Sequence, residues 1–235
     1  MEYFMGQGKV FAAVRSPNGI LGAYRMLGNV STLDLTLGAG AARYAEKGTF
    51  RQSGNKPTFN LNLESLYPEN LALLLYGTSS TDAGSARTAA VKVARGTMAP
   101  LPDINLDSVT SVKVGGTTHP LNAISVDLGT GAVELPVNSP IADNSTVTVG
   151  YVCKGYTKVE AYQQIAQEIS LRYDGINTMD QTPVVLDLFR TKFDPVDGLS
   201  LLGDNLSTLK VTGEIMFDNL RAVAGASGFL RIRQV

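Results

Sequence analysis

Apolar and polar residues alternate with a period of two along several stretches, and each such stretch predicts a β-strand with one buried face. In 58–66 the apolar Phe59, Leu61 and Leu63 alternate with Thr58, Asn60, Asn62 and Glu64. Residues 24–37 predict another strand, with Leu33, Leu35 and Leu37 toward a core and Thr32, Asp34 and Thr36 away from it. A first strand over 9–14 is set off from it by the turn residues Ser16-Pro17-Asn18-Gly19. Near the other end, Ile169, Leu171 and Tyr173 alternate with Glu168, Ser170 and Arg172. Residues 184–193 mix apolar and polar residues on both faces and predict a more deeply covered strand. In 207–218, Leu209, Val211, Ile215 and Phe217 face one way, and Lys210, Thr212, Glu214 and Asp218 the other. A last strand is predicted over 229–235.

One stretch changes period. Residues 68–77 open with Pro at the first helical position, carry Glu69 in the first turn and stop at Gly77. Leu71, Leu74 and Leu75 would cover a sheet, yet Ala72, Leu73 and Tyr76 make the remaining surface apolar too. A helix apolar all round calls for two partners. A neighbouring subunit is the expected second one; a sandwich inside the chain's own fold is the alternative. Residues 38–56 show no period and are rich in Gly and Ala, with Arg43, Lys47, Arg51 and Lys56 set against Glu46. A loop that long predicts function.

Small residues over 78–84 read as a linker, and the texture then shifts to short strands cut by Gly-containing turns such as Gly115-Gly116 and Gly129-Thr130-Gly131. The fold class expected is therefore mainly β with one flanking α-helix. A discontinuous domain over 1–84 and 159–235 carries an inserted β-rich subdomain over 85–158.

Composition narrows the chemistry. The chain has 235 residues, 44% hydrophobic and 17% charged, with net charge −1 and a pI near 5.9. That balance argues for a packed globular protein and against a sequence-reading nucleic-acid binder. A single cysteine, Cys153, excludes an internal disulfide framework, and its place in an alternating run predicts an inert core thiol. With one cysteine and one histidine, His119 in a turn-rich segment, a zinc site would need carboxylates in place of the missing ligands, and no Cys–His pair or Ser–His–acid triad is proposed. Gly38-x-Gly40 lacks the third glycine of a phosphate loop, Arg43 standing in its place. No enzyme activity, metal or cofactor is expected. The N-terminal residues show no signal-peptide pattern, and the longest apolar run, 71–76, is too short to span a bilayer.

The run from Arg43 through Gly77 resembles the phage major tail tube protein family. The resemblance lies in Phe50-Arg51-Gln52-Ser53-Gly54, the polar-faced strand after it, and above all the ending Asn70-Leu71-Ala72-Leu73-Leu74-Leu75-Tyr76-Gly77. Gly6-Gln7-Gly8-Lys9-Val10 and Leu27-Gly28-Asn29-Val30 are similar to that family's first strands, and 108–143 to the β insert some members carry. The resemblance implies a tail-tube-type β-sandwich or partial barrel, assembled as hexameric rings that stack into a conduit for DNA ejection. It implies a place in the virion after assembly in the host cytoplasm. The partners implied are further copies of the chain, the tail terminator, tape measure and baseplate proteins, and DNA passing non-specifically through the lumen; no membrane is involved.

On that reading Arg43, Glu46, Lys47, Arg51 and Lys56 are expected to contact the next ring. Leu73, Tyr76, Leu230 and Ile232 are expected to contact the neighbouring subunit. Asp34, Asn60, Asn62, Glu64, Glu168 and Asp174 are expected to face the lumen, where carboxylates would let phosphates slide past. Arg172 interrupts that pattern and is expected to pair with Glu168 or Asp174, or to enter the subunit contact. The alternatives are a secretion-system-type tube or ring protein and a soluble β-rich carbohydrate-binding domain.

Overall fold

The computed structural model describes residues 5–37, 42–44, 50–52, 56–196, 198–199, 208–223 and 226–235. The chain opens with β1 (Gly6–Val14), β2 (Arg25–Met26), β3 (Val30–Thr36), β4 (Ala42–Tyr44), β5 (Phe50–Gln52), β6 (Thr58–Leu63) and the helix α1 (Pro68–Leu74). The middle holds β7 (Thr78–Asp82), β8 (Ala86–Val93), β9 (Met98–Pro100), β10 (Leu106–Val114), β11 (Thr117–His119), β12 (Ser125–Val126), β13 (Ala132–Glu134), β14 (Ser145–Cys153) and β15 (Tyr156–Glu160). The last stretch is β16 (Glu168–Asn177), β17 (Thr182–Phe193), β18 (Leu209–Ile215) and β19 (Leu230–Gln234). The protein is mainly β, and among the described residues no sheet closes into a barrel. It divides into two compact units, one of Met1–Thr78 with Val159–Val235, the other of Ser79–Lys158. The stretch expected as a linker is instead strand β7, which pairs with β15.

The first unit is built on one antiparallel sheet of order β2-β1-β16-β17-β18-β6-β3, with β19 on β17. Strand β17 forks: Val184–Leu188 pairs with β19, and Thr191–Phe193 pairs with β18. Between the two halves, Phe189 and Arg190 stand opposite the single Ser170 of β16, a bulge that bends the strand. The alternation read from the sequence sets the buried face. Phe59, Leu61 and Leu63 of β6, Leu209, Val211 and Ile215 of β18, and Ile169 and Leu171 of β16 share one core with Val10, Leu188 and Leu74. Phe59 and Phe193 meet edge to face at 5.6 Å. Each fully buried Leu or Phe here contributes about 1.5–3 kcal/mol relative to exposure. Two expectations fail at strand ends. Leu37 lies past β3 and is 58% exposed, and Asp218 lies past β18 and is buried against Arg15.

Helix α1 corrects two further readings. Its stop is a Schellman arrangement in which Tyr76, with φ +49°, takes the left-handed position and the Gly77 N–H donates to the Ala72 carbonyl at 2.7 Å. Gly77 is required for a different reason: a Cβ there would sit 2.1 Å from the backbone oxygen of Glu160. The apolar surface of the helix is also largely covered within its own unit. Ala72 and Leu74 are buried, Leu71 and Leu73 pack against the sheet core, and the Tyr76 hydroxyl donates to the Phe193 carbonyl at 2.6 Å. The alternative reading, a helix sandwiched by its own fold, describes it better than a helix waiting for a neighbour.

The second unit has two small sheets, β11-β10-β14-β8 and β12-β13-β9, over a core of Val112, Val133, Val147, Val149 and Tyr151. Cys153 is buried among them. Asp103, also buried, accepts hydrogen bonds from the Tyr151 hydroxyl at 2.6 Å, the Tyr156 hydroxyl at 3.0 Å and the Arg87 guanidinium. Arg87 in turn reaches both oxygens of Asp82 at 2.7 Å. Burial pushes the Asp103 carboxyl up, but its three donors outweigh that and hold it below the usual range.

Candidate functional site

The feature of the first unit that its own residues do not complete is the core-side opening between the two ends of the sheet. A groove of about 710 Å³ is lined by Val10, Tyr173, Val184, Leu186 and Ile232 from β1, β16, β17 and β19, and by Val30, Leu33 and Leu35 from β3. Ile232 at its rim is 58% exposed. Burial pushes the Tyr173 hydroxyl up. The backbone edges beside this groove are open. Among the described residues β3 pairs only with β6, β19 pairs only with β17, and β1 meets β2 at just Phe11 and Ala12. An unpaired edge beside an apolar groove is a template for strand addition.

The opposite face of the same sheet is polar, and it carries the residues expected to line a lumen. Register places Asp34 of β3 opposite Asn60 of β6, which stands opposite Thr212 of β18. One step along, Asn62 lies between Thr32 and Lys210. Glu64 is exposed just past the end of β6. Glu168 and Asp174 lie on β16, two and more strands away across the sheet.

Two of the four carboxylates expected on this face, Glu168 and Asp174, are paired with arginines. Both oxygens of Glu168 accept from Arg190, one of them at 2.8 Å, and this holds the carboxyl below its ordinary value despite burial. Asp174 accepts from Arg172 at 2.8 Å, one of the pairings expected for that arginine. Asp187 accepts from Arg172 at 3.1 Å and from Arg233 at 2.6 Å. Sequence reasoning gives Asp187 a strand-end or turn role, whereas it lies inside β17 between Arg172 and Arg233; it misses Arg190, Arg231 and Arg233 because 184–193 mixes both faces and 229–235 reads only as an edge. The signal available was the Arg-x-Arg of 231–233, which on a strand puts both cations on one face.

The expected ring-stacking residues divide three ways. Arg43 and Arg51 are directly opposed in the antiparallel pair β4–β5, so part of the expected loop is a hairpin. Lys56 is tied within the chain to Glu214, at 2.9 Å, on an exposed surface. Glu46 and Lys47 lie outside the described residues. Of the expected subunit contacts, Leu73 and Tyr76 are half-buried, with Leu73 against the core and the Tyr76 hydroxyl bonded to the Phe193 carbonyl. Leu230 packs against the core opposite Leu188, and Ile232 remains open at the groove.

Among the described residues no cluster of three or more His, Cys, Asp or Glu could hold a metal ion, and no helix is long and apolar enough to cross a membrane. The fold and its open groove define a two-unit, mainly-β protein whose larger sheet is left unfinished at its edges. Residues 3–233 match the profile of a family described as "Protein of unknown function UCP028589", and the chain belongs to that family. No curated protein matches it.

Proposed function

We propose that the protein is a self-assembling structural subunit of the tail tube type, forming hexameric rings that stack into a conduit for DNA ejection. The observation that carries this reading is the apolar groove flanked by the unpaired edges of β3 and β19. A lone copy leaves Ile232 and two strand edges in water, and a second copy adding its edge to the sheet would satisfy both. The faces match in sign and polarity for such a join. The β3 edge presents Leu33 and Leu35 on one side and Asp34 on the other; β19 presents Ile232 on one side and Arg231 and Arg233 on the other. The sequence resemblance supplies the ring and tube geometry.

Negative-stain microscopy of the purified chain at high concentration tests the reading. Rings or tubes are the expected result, and a monodisperse monomer at all concentrations refutes it. Rings that never polymerise would favour the secretion-type ring instead. The residues expected to stack rings are tested separately: Arg43→Glu with Lys47→Glu and Arg51→Glu is expected to leave rings and abolish tubes. Unchanged tube length removes their stacking role.

A further inference from the structure

The bulge in β17 creates a second feature on the polar face. On β17 Phe189 shares the polar side with Asp187 by simple alternation, and the bulge opposite Ser170 brings Arg190 to that side as well, where it pairs with Glu168. This face carries Arg172, Arg190, Arg221, Arg231 and Arg233, and three carboxylates answer them. Glu168 holds Arg190, Asp174 holds Arg172, and Asp187 is shared between Arg172 and Arg233. Arg221 and Arg231 are left over. Their guanidinium carbons lie 5.7 and 5.5 Å from the centre of the Phe189 ring, and neither has a carboxylate partner among the described residues. The carboxylate nearest in influence to Arg221 is Asp218, which is already committed to Arg15 by two bonds of 2.7 and 2.8 Å. On a chain of net charge −1, this patch is a local excess of cations.

We infer that the patch is a contact site for the phosphodiester backbone of double-stranded DNA. The choice of polymer rests on the conduit reading; the anionic chemistry rests on the patch itself. A guanidinium beside an aromatic ring and without a carboxylate keeps its N–H donors available, and a planar guanidinium can take a phosphate in two parallel bonds. Arg221 and Arg231, both beside the Phe189 ring, are the two guanidiniums left to meet phosphates. A protein partner fits less well. Stable protein interfaces carry an apolar centre, whereas Phe189 is buried beneath its arginines and the surrounding polar face is charged. DNA passing this surface is held weakly and released by salt.

The test is a fluorescence-anisotropy titration of a labelled random-sequence duplex with the full chain, at salt from about 50 to 200 mM. Wild type is expected to bind with a steep salt dependence. Arg221→Ala with Arg231→Ala is expected to lose roughly tenfold in affinity and to flatten the log–log salt slope by about 1.8, two phosphate contacts at about 0.9 each. Arg221→Lys with Arg231→Lys, which keeps both charges, is expected to retain the slope. An unchanged slope in the alanine variant overturns the inference. So does a lysine variant as impaired as the alanine variant, which would make the arginines packing residues, and so does wild-type preference for polyglutamate over the duplex. Microscopy on the same samples separates the two readings. Tubes without DNA binding sink the patch alone, and DNA binding by a chain that never forms rings sinks the conduit alone.

Discussion

The Asp103 network makes the second unit's stability depend on a single carboxylate, in a way that can be measured. In Asp103→Ala the Tyr151 hydroxyl, on a residue only 1% exposed, loses its acceptor at 2.6 Å. A buried donor left unsatisfied costs about 1–3 kcal/mol, and the lost hydrogen bond from Tyr156 adds about 0.5–1.5. Arg87 is not stranded, because Asp82 still takes two bonds from it. The expected destabilisation is thus about 1.5–4.5 kcal/mol.

The double variant Asp103→Ala with Tyr151→Phe removes donor and acceptor together. It should recover about 1–3 kcal/mol relative to the sum of the single changes. The chain has two units and no tryptophan, so a global melt would blend two transitions. Hydrogen exchange of the β8, β10 and β14 amides, read by mass spectrometry, reports local opening of this unit directly. Additivity of the two substitutions within about 0.5 kcal/mol would refute the reasoning, since independent sites add that closely.

Three further outcomes are expected. Asp218 is 2% exposed and its carboxyl is pushed up by burial but held down further by Arg15; Asp218→Asn leaves Arg15 buried without its counter-charge and should cost the first unit about 3–5 kcal/mol, measured by exchange of the β1 and β16 amides. Because both Asp103 and Asp218 have depressed carboxyls, their stabilisation is present above the unfolded value near 3.9 and is lost as pH falls through the lower folded values; an acid titration by circular dichroism showing no loss below about pH 4 would contradict this. Ile232→Asp puts a charge at the rim of the groove without touching the Leu230 anchor, and sedimentation should show the assembled species giving way to single copies while far-ultraviolet circular dichroism stays native.

Much of this architecture was legible in the residues. Alternation in Phe59-Asn60-Leu61-Asn62-Leu63 placed both faces of β6, because a strand that buries one side of a sheet admits only one parity. Pro68 and Glu69 marked the start of α1 for reasons internal to the helix. The change of texture after residue 84 marked a separate β-rich stretch, although the structure passes into that unit earlier, through β7.

What covers an element is a different kind of fact. The apolar surface of α1 was visible in Leu71-Ala72-Leu73-Leu74-Leu75-Tyr76, but periodicity cannot say which surface lies over it, and Tyr76 found its partner 117 residues away at the Phe193 carbonyl. Polar side chains were placed on the right face of the sheet, yet the charge of that face depended on which strands became neighbours. Glu168 meets Arg190, and Asp187 meets Arg172 and Arg233, only after β16, β17 and β19 lie side by side. The bulge that brings Arg190 to the polar side is likewise a property of two strands in register. Local sequence determined which residues are apolar at which spacing, and hence the elements and their faces. Long-range pairing alone decided the groove, the open edges and the excess of arginine, because each depends on contacts between residues far apart along the chain.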